Sequence, residues 1–358
     1  MHKLDSPSQV KKFDPDGSLP SIDLLGAQIE QAWTGFKKVK IPKSYKKIDK
    51  IVINAMGGSA LPGNICQSLF SAELKKPLLV INSYRVPAQV DKNTLYMIVS
   101  YSGTTEEPVS TFNEAKKRGA KIFGITSGGK IGQLINQGKM PGFIFDPVSN
   151  PSNQPRIGLG YTLGAHLAFF KRLGLVKLSD SQIKNLIKSI NEFKKSFAFD
   201  NPFVKNKAKQ LAVQMKDKGI IIVAAEHLAG NAHVYANQTN ETGKTLSAYH
   251  LISELNHHLL EGLKFPTVNR SNLLFVFFES ELYHPKNQLR YKITKKVVGD
   301  NKVSFYSYKL KSKDLLSQVF EMLTFSSYVT FYLAMMNDLN PNLIPWVDYF
   351  KQQLKKQG

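Results

Sequence analysis

Residues Ile51-Val-Ile-Asn-Ala-Met56, followed directly by Gly57-Gly-Ser59, decide the fold of this chain. The run has the length of a strand, is apolar except for one asparagine, and ends in a turn of glycine and serine. A short, continuously apolar run that is rich in Ile and Val is typical of a strand buried on both faces of a parallel sheet. We therefore predict that a parallel sheet begins here, with a polar loop at the carboxyl end of its first strand.

Four more apolar runs of strand length follow in the first half of the chain. They are Leu78–Asn82, Leu95–Ser100, Lys121–Thr126 and Phe143–Phe145. The intervals between most of them are long enough for a helix, and strands that alternate with helices indicate an α/β fold. We predict a doubly wound parallel sheet with helices on both faces.

The second half of the chain repeats this pattern less clearly. Its strand-like runs are Gly219–Ala225, Leu273–Phe278 and Val303–Tyr308. Single cores rarely grow beyond about 250–300 residues, so a chain of 358 residues is expected to form two domains. We predict a polar N-terminal arm at residues 1–20, a first domain at 21–175 and a second domain at 176–358.

The composition favours a cytoplasmic protein. The single cysteine, Cys66, excludes an intrachain disulfide and fits a reducing compartment. The N-terminus lacks the apolar core of a signal peptide, and the longest apolar runs fall short of the about 20 residues that a membrane helix needs. The apolar segment Phe325–Met336 carries Ser326, Ser327 and Thr330, so we interpret it as a buried helix. We expect no membrane partner.

The chain is strongly basic. Forty-eight Lys and Arg against 27 Asp and Glu give a formal net charge of +21, which attracts anions from phosphorylated metabolites to nucleic acid. The lysines are scattered, and no nucleic-acid motif accompanies them. We therefore expect a lysine-rich surface and no nucleic-acid partner.

Three loops rich in glycine and hydroxyl side chains follow strand runs in the first half. They are Met56-Gly-Gly-Ser-Ala-Leu-Pro-Gly63, Ser100-Tyr-Ser-Gly-Thr-Thr-Glu106 and Thr126-Ser-Gly-Gly-Lys130. Ligands of parallel sheets bind beyond the carboxyl ends of the strands, where hydroxyls can donate to phosphate oxygens. Each loop alone is consistent with a turn whose serine caps a helix, but three at one edge favour a phosphate site. Because nucleoside-triphosphate and dinucleotide fingerprints are missing there, we predict a monophosphate.

A carboxylate and an imidazole lie sixteen residues apart in the second half. Gln238-Thr-Asn-Glu-Thr-Gly-Lys244 contains Glu241, and Ser253-Glu-Leu-Asn-His-His258 contains His257. A carboxylate can act as a general base when packing raises its pKa, and an imidazole titrates near neutral pH. Together with an anion site, they predict proton transfer on a phosphorylated small molecule. The other histidines show no metal-ligand spacing, so we expect no metal.

These motifs resemble those of a known family. Three of them resemble the sugar isomerase (SIS) domain: Gly57-Gly-Ser59, Ser100-Tyr-Ser-Gly-Thr-Thr105 and Ile125-Thr-Ser-Gly-Gly129. Four later ones resemble the bifunctional phosphoglucose/phosphomannose isomerase family: Pro155-Arg156, Asn240-Glu241-Thr-Gly-Lys244, Glu254-Leu-Asn-His257, and Asn340-Pro341 leading to Lys351. The resemblance covers nearly the whole chain in consistent order.

The resemblance implies roles for individual residues. The substrate phosphate would be held by Gly57, Gly58, Ser59, Ser100, Ser102 and Thr105. Arg156 would lie beside the reacting carbons, and Glu241 would be the catalytic base. His257 and Lys351 would assist ring opening, whereas the neighbouring His258 is interpreted as a surface residue.

The resemblance also implies an activity and an assembly. Two SIS domains would form a homodimer whose sites receive His257 from the neighbouring subunit. The activity would be isomerisation of glucose 6-phosphate, and of mannose 6-phosphate, to fructose 6-phosphate through a cis-enediol, without metal or organic cofactor. The interconversion of glucose 6-phosphate and fructose 6-phosphate would place the protein in glycolysis and gluconeogenesis. Thr104 and Thr242 stand where the family pattern more often has asparagine, and His258 extends the histidine motif, which leaves the substrate range open.

Two other functions fit parts of the sequence. A SIS-type regulator would bind the sugar phosphate without converting it, and Glu241 and His257 would then be dispensable. An aminosugar-phosphate isomerase or deaminase would share the phosphate loops and the base but would need groups that handle an amine. The isomerase remains our main prediction.

Overall fold

The structure is a computed structural model, and it describes residues 2–357 of the chain. The first half forms a five-stranded parallel sheet. Its strands are β1 (Lys50–Asn54), β2 (Leu78–Ile81), β3 (Thr94–Val99), β4 (Lys121–Thr126) and β5 (Gly142–Ile144). All five predicted strands of this half are therefore confirmed, with small shifts at their ends.

Helices cover both faces of this sheet. In chain order the helices of the first half are α1 (Pro7–Phe13), α2 (Ser18–Asp23), α3 (Leu25–Phe36), α4 (Leu61–Leu69), α5 (Glu106–Ser110), α6 (Phe112–Lys117), α7 (Gly129–Asn136) and α8 (Leu159–Leu173). One face of β1, β3 and β4 packs on the large core shared with α3 and α8, and the other face packs on a smaller cluster around Tyr96 and Phe112.

The strand order β2-β1-β3-β4-β5 creates a reversal between β1 and β3. Connections run outward from this point in opposite directions, which leaves a crevice at the carboxyl ends of the two strands. The loops that follow β1 and β3 carry two of the predicted phosphate motifs. The topology therefore brings both motifs to one place.

The second half forms a four-stranded parallel sheet in the order β7-β6-β8-β9. Its strands are β6 (Gly219–Ala224), β7 (Ser247–Leu251), β8 (Leu273–Glu279) and β9 (Ser304–Lys309). The helices are α9 (Asp180–Phe197), α10 (Lys207–Met215), α11 (Ala229–Glu241), α12 (Ile252–Leu255), α13 (Asn269–Asn272), α14 (Pro285–Asp300), α15 (Leu315–Met336) and α16 (Pro345–Gln357). The α/β class with two parallel-sheet domains is confirmed, while the domain boundaries at 20/21 and 175/176 stay predictions.

Strand β7 was not predicted. It forms the edge of the second sheet and pairs only with β6, from Ile220 opposite Ser247 to Ala224 opposite Leu251. Its side chains are half-buried or exposed. An edge strand that is covered on one side does not need a continuous apolar run, so the burial pattern in the sequence gives no signal for it.

Helix α15 lies in the large hydrophobic core, which spans both halves of the chain. By length and composition it would be long and apolar enough to cross a membrane, but 94% of its most apolar window is buried inside the protein. It packs against α9, α10 and α11. The interpretation of Phe325–Met336 as a buried helix is therefore confirmed.

The N-terminal segment is attached to α15. Leu4 is buried, Gln9 Nε2 donates to the carbonyl oxygen of Met335 at 2.8 Å, and Lys3 Nζ lies 2.7 Å from Asp338 Oδ2. Residues that we predicted to form a polar arm thus cover the end of a helix in the second half of the chain.

Candidate active site

The loop after β1 brings a serine hydroxyl to the carboxyl edge of the first sheet. Residues Gly57–Ser59 form a single 3-10 turn, in which Gly57 has a left-handed φ of 48° that glycine adopts without strain. Ser59 is buried, and its Oγ accepts a hydrogen bond of 2.8 Å from the backbone N–H of Tyr101. The loops after β1 and β3 are therefore joined at the point where the strand order reverses.

The loop after β3 gathers three hydroxyl groups. Ser100 Oγ lies 2.7 Å from Thr105 Oγ1 and 3.5 Å from Ser102 Oγ. The backbone N–H of Gly103 donates to Ser100 Oγ at 3.0 Å and fixes the loop around it. Ser100 is buried, Thr105 is half-buried and Ser102 is exposed. We call Ser100, Ser102 and Thr105 the hydroxyl cluster, and groups at this spacing can donate together to the oxygens of one phosphate.

The third predicted phosphate loop, residues 126–130, supports the second one. A Cβ on Gly103 would lie 1.8 Å from the carbonyl oxygen of Gly128, so the two loops pack backbone against backbone. Ser127 Oγ donates to the carbonyl oxygen of Tyr101 at 2.7 Å. The hydroxyl that we expected to face a ligand is thus used to hold the neighbouring loop, a role that the sequence did not indicate.

Arg156 connects the phosphate loops to the second half of the chain. A Cβ on Gly58 would lie 2.9 Å from the backbone nitrogen of Arg156, so the two backbones touch. The guanidinium donates to Thr242 Oγ1 at 3.1 Å and to Gln154 Oε1 at 2.6 Å. It also donates to the carbonyl oxygens of residues 341 and 342 at 2.7 and 2.9 Å. Four acceptors from three segments therefore fix its position.

Glu241, the last residue of α11, faces the same guanidinium. Its Oε2 lies 3.5 Å from Arg156 Nη1, and the side chains of Glu241 and Arg156 are 29% and 1% exposed, respectively. Burial lowers the pKa of Arg156 from its ordinary value, and the carboxylates of Glu241 and Asp348 oppose this shift. An accessible carboxylate beside a fixed cation can remove a proton from carbon while the cation stabilises the negative charge that develops.

Helix α11 is held against the first half of the chain near both of its ends. Near its start, Gly230 approaches α4 so closely that a Cβ would lie 2.4 Å from the carbonyl oxygen of Asn64. Near its end, Gln238 Nε2 donates to the carbonyl oxygen of Arg156 at 2.9 Å. These contacts place Glu241 beside the residues that follow the first sheet, although it lies far from them in the sequence.

Lys244 is a charged group at this site that the predicted residue set did not include. Its Nζ donates to the carbonyl oxygen of Glu241 and, at 3.4 Å, to that of Pro341. Burial and the charge of Arg156 lower the pKa of Lys244 to about 8, and the charge of Glu241 opposes both effects. The site thus combines the carboxylate of Glu241 with the cations of Arg156 and Lys244.

Gln154 was not predicted as a site residue, and Thr242 was noted only as a departure from the family motif. Both are polar side chains in turns, where no hydrophobic periodicity gives them a signal. Only their places in the sequence, two residues before Arg156 and directly after Glu241, indicate that they belong to the site.

His257 is not brought to this site within one chain. It is exposed in the turn after α12, and Asn256 beside it donates from Nδ2 to Thr294 Oγ1 at 2.7 Å, which fixes the segment on α14. Within residues 2–357, no hydrogen bond or ion pair joins His257 to Glu241 or Arg156.

Lys351 is also exposed, on α16. Burial lowers the pKa of Arg156, and the charge of Asp348, one turn before Lys351, opposes this shift, so α16 begins near the site. Large apolar side chains on this helix and just before it are exposed: Leu343, Trp346, Val347, Tyr349, Phe350 and Leu354. In the described part of the chain, Lys351 makes no side-chain hydrogen bond or ion pair, and no group of three or more His, Cys, Asp or Glu could hold a metal.

Comparison with solved structures identifies the fold. A hypothetical protein from Thermus thermophilus superposes with a TM-score of 0.74 at 16% identity, covering 98% of this chain and 92% of that one. A putative tagatose-6-phosphate ketose/aldose isomerase from Clostridium novyi NT gives a TM-score of 0.71 at 18% identity, covering 94% and 93%. At these identities the similarity shows a shared fold alone.

Comparison of sequences identifies the family. Residues 204–354 match the model described as the bacterial phospho-glucose isomerase C-terminal SIS domain. A bifunctional phosphoglucose/phosphomannose isomerase from Thermoplasma volcanium is 29% identical over 328 residues, covering 91% of this chain and 98% of that protein. The protein of the same name from Caldicellulosiruptor bescii is 31% identical over 339 residues, covering 93% and 98%. The chain therefore belongs to the bifunctional phosphoglucose/phosphomannose isomerase family.

Proposed function

We propose that this chain is an aldose–ketose isomerase that interconverts glucose 6-phosphate, and also mannose 6-phosphate, with fructose 6-phosphate. The observation that carries the proposal is the pair of Glu241 and Arg156, 3.5 Å apart, in contact with the glycine-serine loop through Gly58. Relatives that match over nearly their full length are named phosphoglucose/phosphomannose isomerases, which supports the substrate class.

We assign the substrate phosphate to the hydroxyl cluster and to the loop Gly57–Ser59. The hydroxyls of the cluster lie 2.7–3.5 Å from one another, and each O–H can rotate towards a phosphate oxygen. A Cβ on Gly57 would have no atom within 4 Å, so a ligand can approach the backbone of this residue closely, whereas Gly58 packs against Arg156. Binding at this edge leaves the sugar carbons to extend towards Arg156.

We assign the proton transfer to Glu241. Its carboxylate removes the proton from C2 of the open-chain aldose, which gives the C1–C2 enediolate with its negative charge on O1. A proton passes from O2 to O1, and the same carboxylate returns its proton to C1, which leaves the ketone at C2. One base on one face of the enediol serves both steps. Arg156 stabilises the negative charge that develops on the substrate oxygen, because its guanidinium is held in place before the reaction and does not need to reorganise.

Ring opening needs a second proton relay, and we assign it to His257 of the partner subunit, with help from Lys351. Two features support a homodimer. His257 is exposed, and its neighbour Asn256 is hydrogen-bonded to α14. Within residues 2–357, His257 makes no hydrogen bond or ion pair with the chain's own Glu241. Trp346, which is 82% exposed, and the other apolar side chains of α16 lie beside the site and need a cover.

We further propose a cytoplasmic location, in line with the single buried cysteine. The alternative, a regulator that binds the sugar phosphate without converting it, has less support. The two relatives and the structural neighbour whose names state an activity are named as isomerases.

A coupled assay of the purified protein on glucose 6-phosphate and mannose 6-phosphate, with and without a chelator, tests the activity. For Glu241→Gln we expect kcat to fall about 10²–10⁴-fold, because the base is lost. We expect KM to stay near the wild-type value, because the phosphate contacts remain. The matched control is Glu192→Gln, since Glu192 is an exposed carboxylate that, among residues 2–357, pairs with Lys195 of the same helix and with no other cation. Activity of Glu241→Gln close to wild type would refute its role as the base.

Mixing two inactive variants tests the assignment across the interface. After Glu241→Gln and His257→Ala dimers are dissociated and reassociated together, half of the dimers contain one chain of each kind. In each mixed dimer one site combines an intact Glu241 with an intact His257 from the other chain, so about a quarter of the wild-type activity returns. If both residues act in the same chain, no activity returns.

A further inference from the structure

Lys244 has a backbone conformation that lysine rarely adopts. Its φ is 54°, in the left-handed region, which is unfavourable for residues with a side chain and persists only where neighbouring contacts impose it. Those contacts are present: the N–H of Gly243 donates to the carbonyl oxygen of Gln238 at 3.1 Å, and Asn337 Nδ2 donates to that of Gly243 at 3.1 Å. The turn directs the lysine side chain back over the end of α11.

The ammonium group of Lys244 joins two parts of the site. Nζ donates to the carbonyl oxygen of Glu241 and to that of Pro341. The carbonyl oxygen of Pro341 also accepts a hydrogen bond of 2.7 Å from Arg156. The charged groups around Lys244 are Arg156 and Glu241, and the charge of Asp348 on α16 in turn acts on Arg156.

The position of this ammonium matters for the catalytic carboxylate. The last carbonyl groups of a helix have no partner within the helix, and cations stabilise that end. Glu241 is the last residue of α11, so its own carbonyl is one of these groups. Without the ammonium, that carbonyl loses its partner, and the final residue of the helix can fray away from Arg156.

We infer that Lys244 is a positioning residue for the catalytic base: its ammonium fixes the end of α11 and thereby holds the Glu241 carboxylate beside Arg156. The inference rests on the function proposed above. Lys244 itself contacts the backbone of Glu241 and acts on the substrate only through that residue.

The inference predicts a pH dependence. Because burial lowers the pKa of Lys244 to about 8, its proton is held below that pH and lost as the pH rises through it. The positioning is then lost as well, so kcat falls on the alkaline side of about pH 8. In Lys244→Arg the guanidinium keeps its charge to much higher pH, so the alkaline fall in the pH profile of kcat shifts to higher pH.

The test compares Lys244→Gly with Lys302→Gly. Lys302 also has a left-handed φ, 62°, but it lies in the turn after α14, and glycine relieves the same backbone strain at both positions. For Lys244→Gly we expect kcat to fall about 10–100-fold, which corresponds to one charge-assisted hydrogen bond, with KM little changed. Lys302→Gly should keep wild-type kinetics, neither variant should melt earlier, and Lys244→Arg should recover most of kcat.

Hydrogen exchange gives a readout that does not depend on activity. We expect the backbone amides of the last turn of α11 to exchange faster in Lys244→Gly than in Lys302→Gly. Equal exchange rates, or wild-type kcat with an unchanged alkaline limb in Lys244→Gly, would overturn the inference. A wild-type protein that converts neither sugar phosphate would instead overturn the proposed function, and the exchange comparison would still decide the role of Lys244.

Discussion

Replacing Gly58 by alanine should separate the phosphate loop from Arg156. The added Cβ would lie 2.9 Å from the backbone nitrogen of Arg156, 3.1 Å from the carbonyl carbon of Pro155 and 3.2 Å from the Arg156 Cα, whereas ordinary contacts are 3.4–4 Å. All three neighbours are backbone atoms, so no side chain can rotate out of the way. The loop must therefore move by about 0.5 Å, a distance comparable to the tolerance of catalytic geometry.

The magnitude follows from this displacement. Inserting one carbon into a packed contact costs about 1–3 kcal/mol of folding free energy. A misplacement of about 1 Å can cost about 100-fold in rate, so half that shift should lower kcat/KM about 10-fold or more. The guanidinium cannot follow the loop, because its four acceptors hold it in place. The distance between the bound phosphate and the Arg156–Glu241 pair should therefore change.

The coupled isomerase assay and thermal unfolding measure the two effects. The control is Gly132→Ala in α7, where the nearest atoms to an added Cβ are 3.9 Å away. We expect Gly132→Ala to match the wild type in both measurements. If Gly58→Ala also matches it in kcat/KM and melting temperature, the contact between Gly58 and Arg156 does not set the geometry of the site.

Three further predictions concern other parts of the molecule. Arg156→Lys keeps the charge but loses the planar guanidinium that donates to four acceptors. Steady-state kinetics should therefore show a loss of about 100-fold in kcat/KM, and a loss below about threefold would contradict this reasoning. Trp346→Ser removes the most exposed apolar side chain of α16. Light scattering should show a weaker dimer, and the specific activity should fall when the protein is diluted. A fully active monomer would refute the proposed interface. Burial lowers the pKa of His166 to about 4, so the unfolded chain takes up this proton at a higher pH than the folded chain does. The free energy of unfolding, measured by urea denaturation, should therefore fall by roughly 2–3 kcal/mol between about pH 6.5 and 4.5. His166→Gln should make it depend less on pH.

The fold was largely predictable, because buried parallel strands require continuous apolar runs and the chain carries them from β1 to β5. Strand β7 was missed for the complementary reason. It is an edge strand with half-buried and exposed side chains, so its place in the sheet depends on pairing with β6 and not on its own composition.

The active site was predictable in part. Glu241 and Arg156 were singled out from short motifs, and the structure brings them together, whereas His257 and Lys351 lie outside the contacts of the site in a single chain. Gln154 was missed, and Lys244 was noted only as part of the motif around Glu241, because a polar residue in a turn looks the same in sequence whether it faces solvent or a buried guanidinium.

The sequence by itself determined the two parallel sheets and the places of the glycine-serine loops, because strand burial and turn chemistry are local properties. Only the tertiary structure decided that Arg156 meets Glu241, that the third loop supports the second, and that Lys244 turns back onto the end of α11. These contacts join segments that are distant in the chain. They depend on how α11 packs against α4, and no local pattern of residues encodes that packing.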